Sequence, residues 1–147
     1  MTAIPTTKSE SRRPWGITAL SVFFLVGAAI SLIAAISLLL PNSFLKAMWR
    51  INPRAHENLT RLGFWAVILM LTVSMFCAAA SLGLWWASRW GYWLAVGLIT
   101  VNLIGDVTNV LLGTEPRAIV GVPVAAAILA YLMSRKVRKL FNSFPQN

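Results

Sequence analysis

The segment GITALSVFFLVGAAISLIAAISLLL, Gly16 to Leu40, carries no charged side chain, and its only polar side chains are hydroxyls. A hydrocarbon core about 30 Å thick is crossed by roughly 20 apolar residues of α-helix, each advancing about 1.5 Å. The segment is therefore long enough to span a bilayer. Outward from it, the charges stay clustered: Arg13 is followed by none until Lys46, Arg61 by none until Arg89, Arg89 by none until Asp106, and Arg117 by none until Arg135. These gaps predict spans near 16–40, 63–87, 91–113 and 118–134. With 58% apolar and 12% charged residues in 147, the expected fold class is all-α, a single integral membrane four-helix bundle. A basic tail over 1–14 precedes it and a second basic tail over 135–147 follows. Pro123 falls inside the shortest span, where neighbouring groups can satisfy the freed carbonyl, and it predicts a kink.

Orientation follows from the cations beside the spans, because Lys and Arg are retained on the cytoplasmic side. Lys8, Arg12, Arg13, Arg89, Arg135, Lys136, Arg138 and Lys139 make eight on one side; Lys46, Arg50, Arg54, Arg61 and Arg117 make five on the other. Both termini are therefore expected in the cytoplasm. Trp15, Trp85, Trp86, Trp90, Tyr92, Trp93 and Tyr131 all fall at the same membrane face. There they are expected to anchor the spans at headgroup level, with Arg135 and Lys136 as cationic anchors beside them. The net charge of +9 sits on these flanks and favours anionic lipid heads as partners without any need for nucleic acid. SRRPW, Ser11 to Trp15, carries the twin arginines of an export signal, but the apolar run after it far exceeds the 7 to 15 residues of a signal core. An anchor is the better reading.

The first connection, Pro41 to Leu62, is long enough to hold structure outside the hydrocarbon. Phe44, Leu45, Met48 and Trp49 repeat at helical spacing, which predicts a short interfacial helix over about 43–51, with Ser43 as its cap, Trp49 as an anchor and Pro53 as its limit. Such a helix serves as a connector resting on lipid heads or, alternatively, as a lid or docking surface. Small residues at four-residue spacing, Gly27, Ser31 and Ala35, Ala79 and Gly83, Gly121 and Ala125, allow helices to approach closely. They would serve a monomer's own bundle or a homo-oligomer equally.

The inventory of reactive groups is short. Cys77 is the single cysteine, so no intramolecular disulfide or CxxC redox pair can form, and His56 is the single histidine, which cannot build a bis-His haem site. His56 reads as a surface residue. No glycine-rich phosphate loop and no Ser, His and acid set is present, so no catalytic residue, metal site or cofactor is expected, and enzyme is the weakest class.

What remains is VNLIGDVTNV, Val101 to Val110, where Asn102, Asp106 and Asn109 are spaced i, i+4, i+7 on one helix face, with Gly105 and Gly113 expected to leave room beside them. An Asp at mid-membrane costs about 2.5 to 3.5 kcal/mol on an insertion scale, less off-centre, so Asp106 is expected to face the bundle or a wet cavity. Three roles fit: polar glue between helices, a proton- or cation-responsive site, or a contact with another subunit. Arg61 and Arg117 are the cations close enough to snorkel toward the acid.

Three stretches, GLWWASRWGYWLA (Gly83 to Ala95), NLIGD (Asn102 to Asp106) and YLMSRKVRKLF (Tyr131 to Phe141), together resemble a broad group of small bacterial four-span membrane proteins of unknown function. The matching positions are Gly83, Leu84 and Trp85; Arg89 and Trp90; Trp93 and Leu94; Val137, Arg138 and Phe141. The resemblance implies a bacterial cytoplasmic membrane and four helices, and lends no activity. The expected function is a non-enzymatic membrane component that packs with itself or a larger complex. The alternative is a small ion- or proton-coupled transporter centred on Asp106.

Overall fold

The computed structural model describes residues 15–40, 49–51, 53–113 and 118–143. These residues are almost entirely helical, with no strand among them: α1 (Trp15–Leu39), α2 (Pro53–Leu62), α3 (Phe64–Trp85), α4 (Arg89–Leu111), α5 (Ala118–Met133) and α6 (Arg135–Ser143). α1, α3 and α4 are long and apolar enough to cross a membrane; α5 is apolar but shorter, and continues through Pro123. α1 packs along α3, α3 along α4 and α4 along α5.

In lipid the solvent is as apolar as the side chains, so helices associate through close contact and interhelical hydrogen bonds. The α1–α3 pair uses both. Ala28, Ala34 and Ala35 of α1 and Ala66 and Ala80 of α3 are buried, and two α3 hydroxyls reach α1 carbonyls: Ser74 Oγ donates to Ala28 O at 2.9 Å and Ser81 Oγ to Ser21 O at 2.7 Å.

α3 and α4 are joined by a tight turn, Trp86 to Ser88, with Ala87 at φ 52. Ser88 holds it: its hydroxyl donates to Gly83 O at 2.9 Å and accepts from Gly91 N at 3.3 Å, capping α4. That cap starts α4 at Arg89, two residues before the sequence-based boundary, because a serine oxygen satisfies an otherwise orphaned N–H. Gly83 and Gly91 touch backbone to backbone, and a Cβ on Gly83 would fall 2.5 Å from Gly91 Cα.

The basic segment after α5 forms a helix. Val137 and Phe141 of α6 are buried, with Phe141 1% exposed, and the Phe141 ring stacks on Tyr92 at 5.0 Å. Tyr92 is buried as well, its hydroxyl donating to Leu132 O at 3.0 Å, so it works inside the bundle and not in the aromatic belt. Ile17, Leu20 and Phe24 of α1, Leu84 of α3, Ala95 and Ile99 of α4 and Leu132 of α5 complete one continuous core. It gathers at the end formed by the α3–α4 turn, hereafter the closed end.

At the far end lies the first connection. Ser43 to Met48, most of the expected interfacial helix, lies outside the described residues, as do the tail over 1–14 and Arg117. Trp49 and Arg50 form one 3-10 turn, and α2 follows from Pro53. Pro53 is thus a helix start, where its missing N–H costs nothing. Gly63, at φ 56 with open space around it, makes the reversal from α2 into α3.

Candidate functional site

The face of α4 that enters the core runs Ala95, Ile99, Asn102, Asp106, Asn109, at alternating steps of four and three. Ala95 and Ile99 are buried. Beyond them the same seam turns polar, Asn102 becomes exposed, and no residue of α4 past Ile99 is buried. The three sequence-predicted polar residues therefore continue the core-facing stripe where α4 is less covered, with Asn102 exposed and Asp106 and Asn109 half-buried.

A cleft of about 320 Å³ marks the place where that cover ends. Gly27 and Ser31 of α1, Cys77 of α3 and Ile99 and Asn102 of α4 are among its walls, near the middle of all three helices. Asn102 forms its polar rim and donates from Nδ2 to Asp106 Oδ2 at 3.2 Å. On its other side Asp106 lies on α5: a Cβ on Gly121 would fall 3.0 Å from Asp106 Cγ and closer still to Oδ2. The room beside the acid thus comes from Gly121 on the neighbouring helix. Gly105 is exposed with nothing near it, and Gly113 lies past the end of α4 at φ 64. Gly121 closes the first turn of α5, so the Asp106 carboxyl packs against the start of that helix.

The neighbouring hydroxyls do not compete for this pair. Thr100 Oγ1 donates to Val96 O and Thr108 Oγ1 to Ile104 O, both at 2.8 Å and both within α4. Arg61 forms a surface ion pair with Glu57 at 3.8 Å, one turn away on α2, and so is engaged outside the seam.

The aromatic and cationic positions separate into two kinds. Trp15, Trp85, Trp86, Trp90 and Trp93 are exposed around the closed end, and Arg135, Lys136, Arg138 and Lys139 are exposed on α6 beside them. Trp49 is different. It is buried at the far end, its indole N–H donates to Ser37 Oγ, and its ring lies 4.7 Å from that of His56. Its polar edge is satisfied inside the protein, so it braces the first connection and does not present its ring to lipid. His56, expected at the surface, is half-buried beneath it, and the two line a second concavity of about 400 Å³ with Thr60, Phe64 and Val67.

Comparison with known proteins adds no name: no family model matches the chain, and no curated protein or solved structure matches it. The site is therefore read from its own geometry. Sequence spacing found the Asn102, Asp106, Asn109 stripe; it missed the pairing of Asp106 with Gly121, because the only signal, a glycine early in α5, reads as a generic packing position until the two helices are docked.

Proposed function

We propose that this chain is a non-enzymatic integral membrane protein of a bacterial cytoplasmic membrane, spanning it with α1, α3, α4 and α5, both termini cytoplasmic, and acting by packing against a second copy or a larger membrane complex. The bacterial setting rests on the resemblance of residues 83–141 to small bacterial four-span proteins, and the orientation on the cation count. One observation carries the packing role: the inward seam of α4 is buried at Ala95 and Ile99 but exposed at Asn102 and only half-buried at Asp106 and Asn109, with the neighbouring Val101 70% exposed. Apolar exposure alone is ordinary in lipid. A seam that is core in one half and only partly covered in the other is not, since polar groups such as Asn102 gain little from hydrocarbon and much from a partner helix.

The test is cross-linking in the native membrane through Val101→Cys in a Cys77→Ser background, with the purified complex weighed intact. A cross-linked species of fixed stoichiometry is expected. A stable, uncross-linked monomer after gentle solubilisation overturns the proposal.

A second reading is favoured by the Asn102 to Asp106 hydrogen bond at the rim of the cleft: a small ion- or proton-coupled transporter centred on Asp106. Ion flux into liposomes that disappears with Asp106→Asn supports it, and absence of flux for protons, sodium and potassium counts against it.

A further inference from the structure

α6 follows α5 after a single residue, and its two faces are chemically opposite. Val137 and Phe141 point into the core, where Phe141 stacks on Tyr92 and Tyr92 is tied to Leu132 O. At about 100° per residue, Lys139 falls opposite the Val137 and Phe141 face, Arg135 and Lys136 beside it and Arg138 on the flank, and all four are exposed. The Phe141 stack on Tyr92 and the burial of Val137 thus hold the helix against the bundle, and the four cations are presented by a docked element and not by a loose tail. The exposed indoles of Trp85, Trp86, Trp90 and Trp93 surround the same end. Indoles with an apolar body and a polar N–H collect at headgroup depth, so they set the level at which the cations stand.

We propose that the outer face of α6 is a docking surface for anionic lipid headgroups, with Arg135, Lys136, Arg138 and Lys139 engaging their phosphodiesters while Val137 and Phe141 hold the helix in place. Charge complementarity selects the occupant: four cations and no acid lie on α6, and a phosphodiester offers charged oxygens to both guanidinium and ammonium donors. The inference rests on the reading that the closed end meets a membrane surface. It does not depend on the open half of α4 or on Asp106.

The experiment is native mass spectrometry of the full chain from micelles holding equal amounts of phosphatidylglycerol and phosphatidylcholine. Wild type is expected to retain the anionic lipid in preference by about tenfold or more, since each of four basic side chains near an anionic surface contributes severalfold. Replacing Arg135, Lys136, Arg138 and Lys139 by Gln should bring the ratio close to one, while Arg50→Gln, Arg54→Gln and Arg61→Gln together, at the opposite end, should leave it unchanged. Phe141→Ala keeps every cation but undocks the helix, and should lower the preference by part of that amount. Circular dichroism verifies that each variant keeps its helix content. Equal retention of both lipids by wild type, or a preference that survives the fourfold α6 variant, overturns the proposal; equal lipid retention together with capture of an acidic peptide would assign the face to a protein instead. Resistance of the chain to alkaline extraction, measured in parallel, reports on membrane insertion itself, so failure of the lipid preference and failure of the membrane reading are told apart.

Discussion

The two halves of α4 lie on one seam and differ in everything that packs. Toward the closed end, Ala95 and Ile99 meet α1, α3 and α5 in the core, Tyr92 is pinned between Leu132 O and Phe141, and Gly91 touches Gly83 backbone to backbone. Toward the open end the same register holds Asn102, Asp106 and Asn109, against a cleft on one side and Gly121 on the other. Side-chain volume separates the halves less than polarity does. An apolar seam is filled by its neighbours; a polar seam depends on specific partners, as Asn102 and Asp106 are for each other.

The sharpest way to break this contrast is at the closed end. Phe141→Ala should lower stability by about 3 to 5 kcal/mol, the usual range for a buried phenylalanine, read as a shift in the unfolding midpoint in micelles. An equally drastic change at the open end, Leu111→Ala, should move the midpoint very little, because Leu111 is exposed.

Next in size is a pair of single methyl groups. Gly83→Ala should cost about 1 to 3 kcal/mol, since the new Cβ meets the Gly91 backbone, which has nowhere to go. Gly105→Ala, with open space around it, should be neutral or slightly stabilising through helix propensity. If both behave alike, the two halves do not differ in packing as described.

A third test concerns the acid. Gly121→Ala forces the Asp106 carboxylate off α5 and should destabilise by about 1 kcal/mol, while the same change in an Asp106→Ala background should cost nothing, giving a coupling of that size in a double-mutant cycle. Additive effects would separate the two residues. The smallest effect is expected from the α1–α3 hydroxyls: Ser81→Ala should cost about 0.6 kcal/mol, near the average for interhelical hydrogen bonds in a membrane protein, by the same unfolding assay.

Much of the architecture is legible in the residues. The charge gaps locate α1, α3, α4 and α5 to within two residues at most boundaries, because hydrocarbon excludes charge whatever the tertiary arrangement. The exposed indoles Trp85, Trp86, Trp90 and Trp93 were equally plain. Trp49 and Tyr92 were not: both carry the amphipathic ring of a belt residue, and burial rests on contacts from other helices, from His56 and Ser37 in one case and from Phe141 and Leu132 in the other. α6 was hidden because four cations mask three apolar residues in a hydropathy reading, although Val137 and Phe141 stand one turn apart. α2 was hidden by Pro53, which ends a helix when read from one side and begins one when read from the other.

By itself the sequence determined which segments are helical and fit for lipid, where the polar stripe of α4 begins and which flanks carry charge, since these depend on local composition and on the 3.6-residue period alone. Tertiary structure decided which glycine faces the acid, which tryptophan is core, and that the seam of α4 is fully buried at one end and only partly covered at the other. Those outcomes are set by contacts between helices, and in lipid such contacts rest on close fit and individual hydrogen bonds that no single helix encodes.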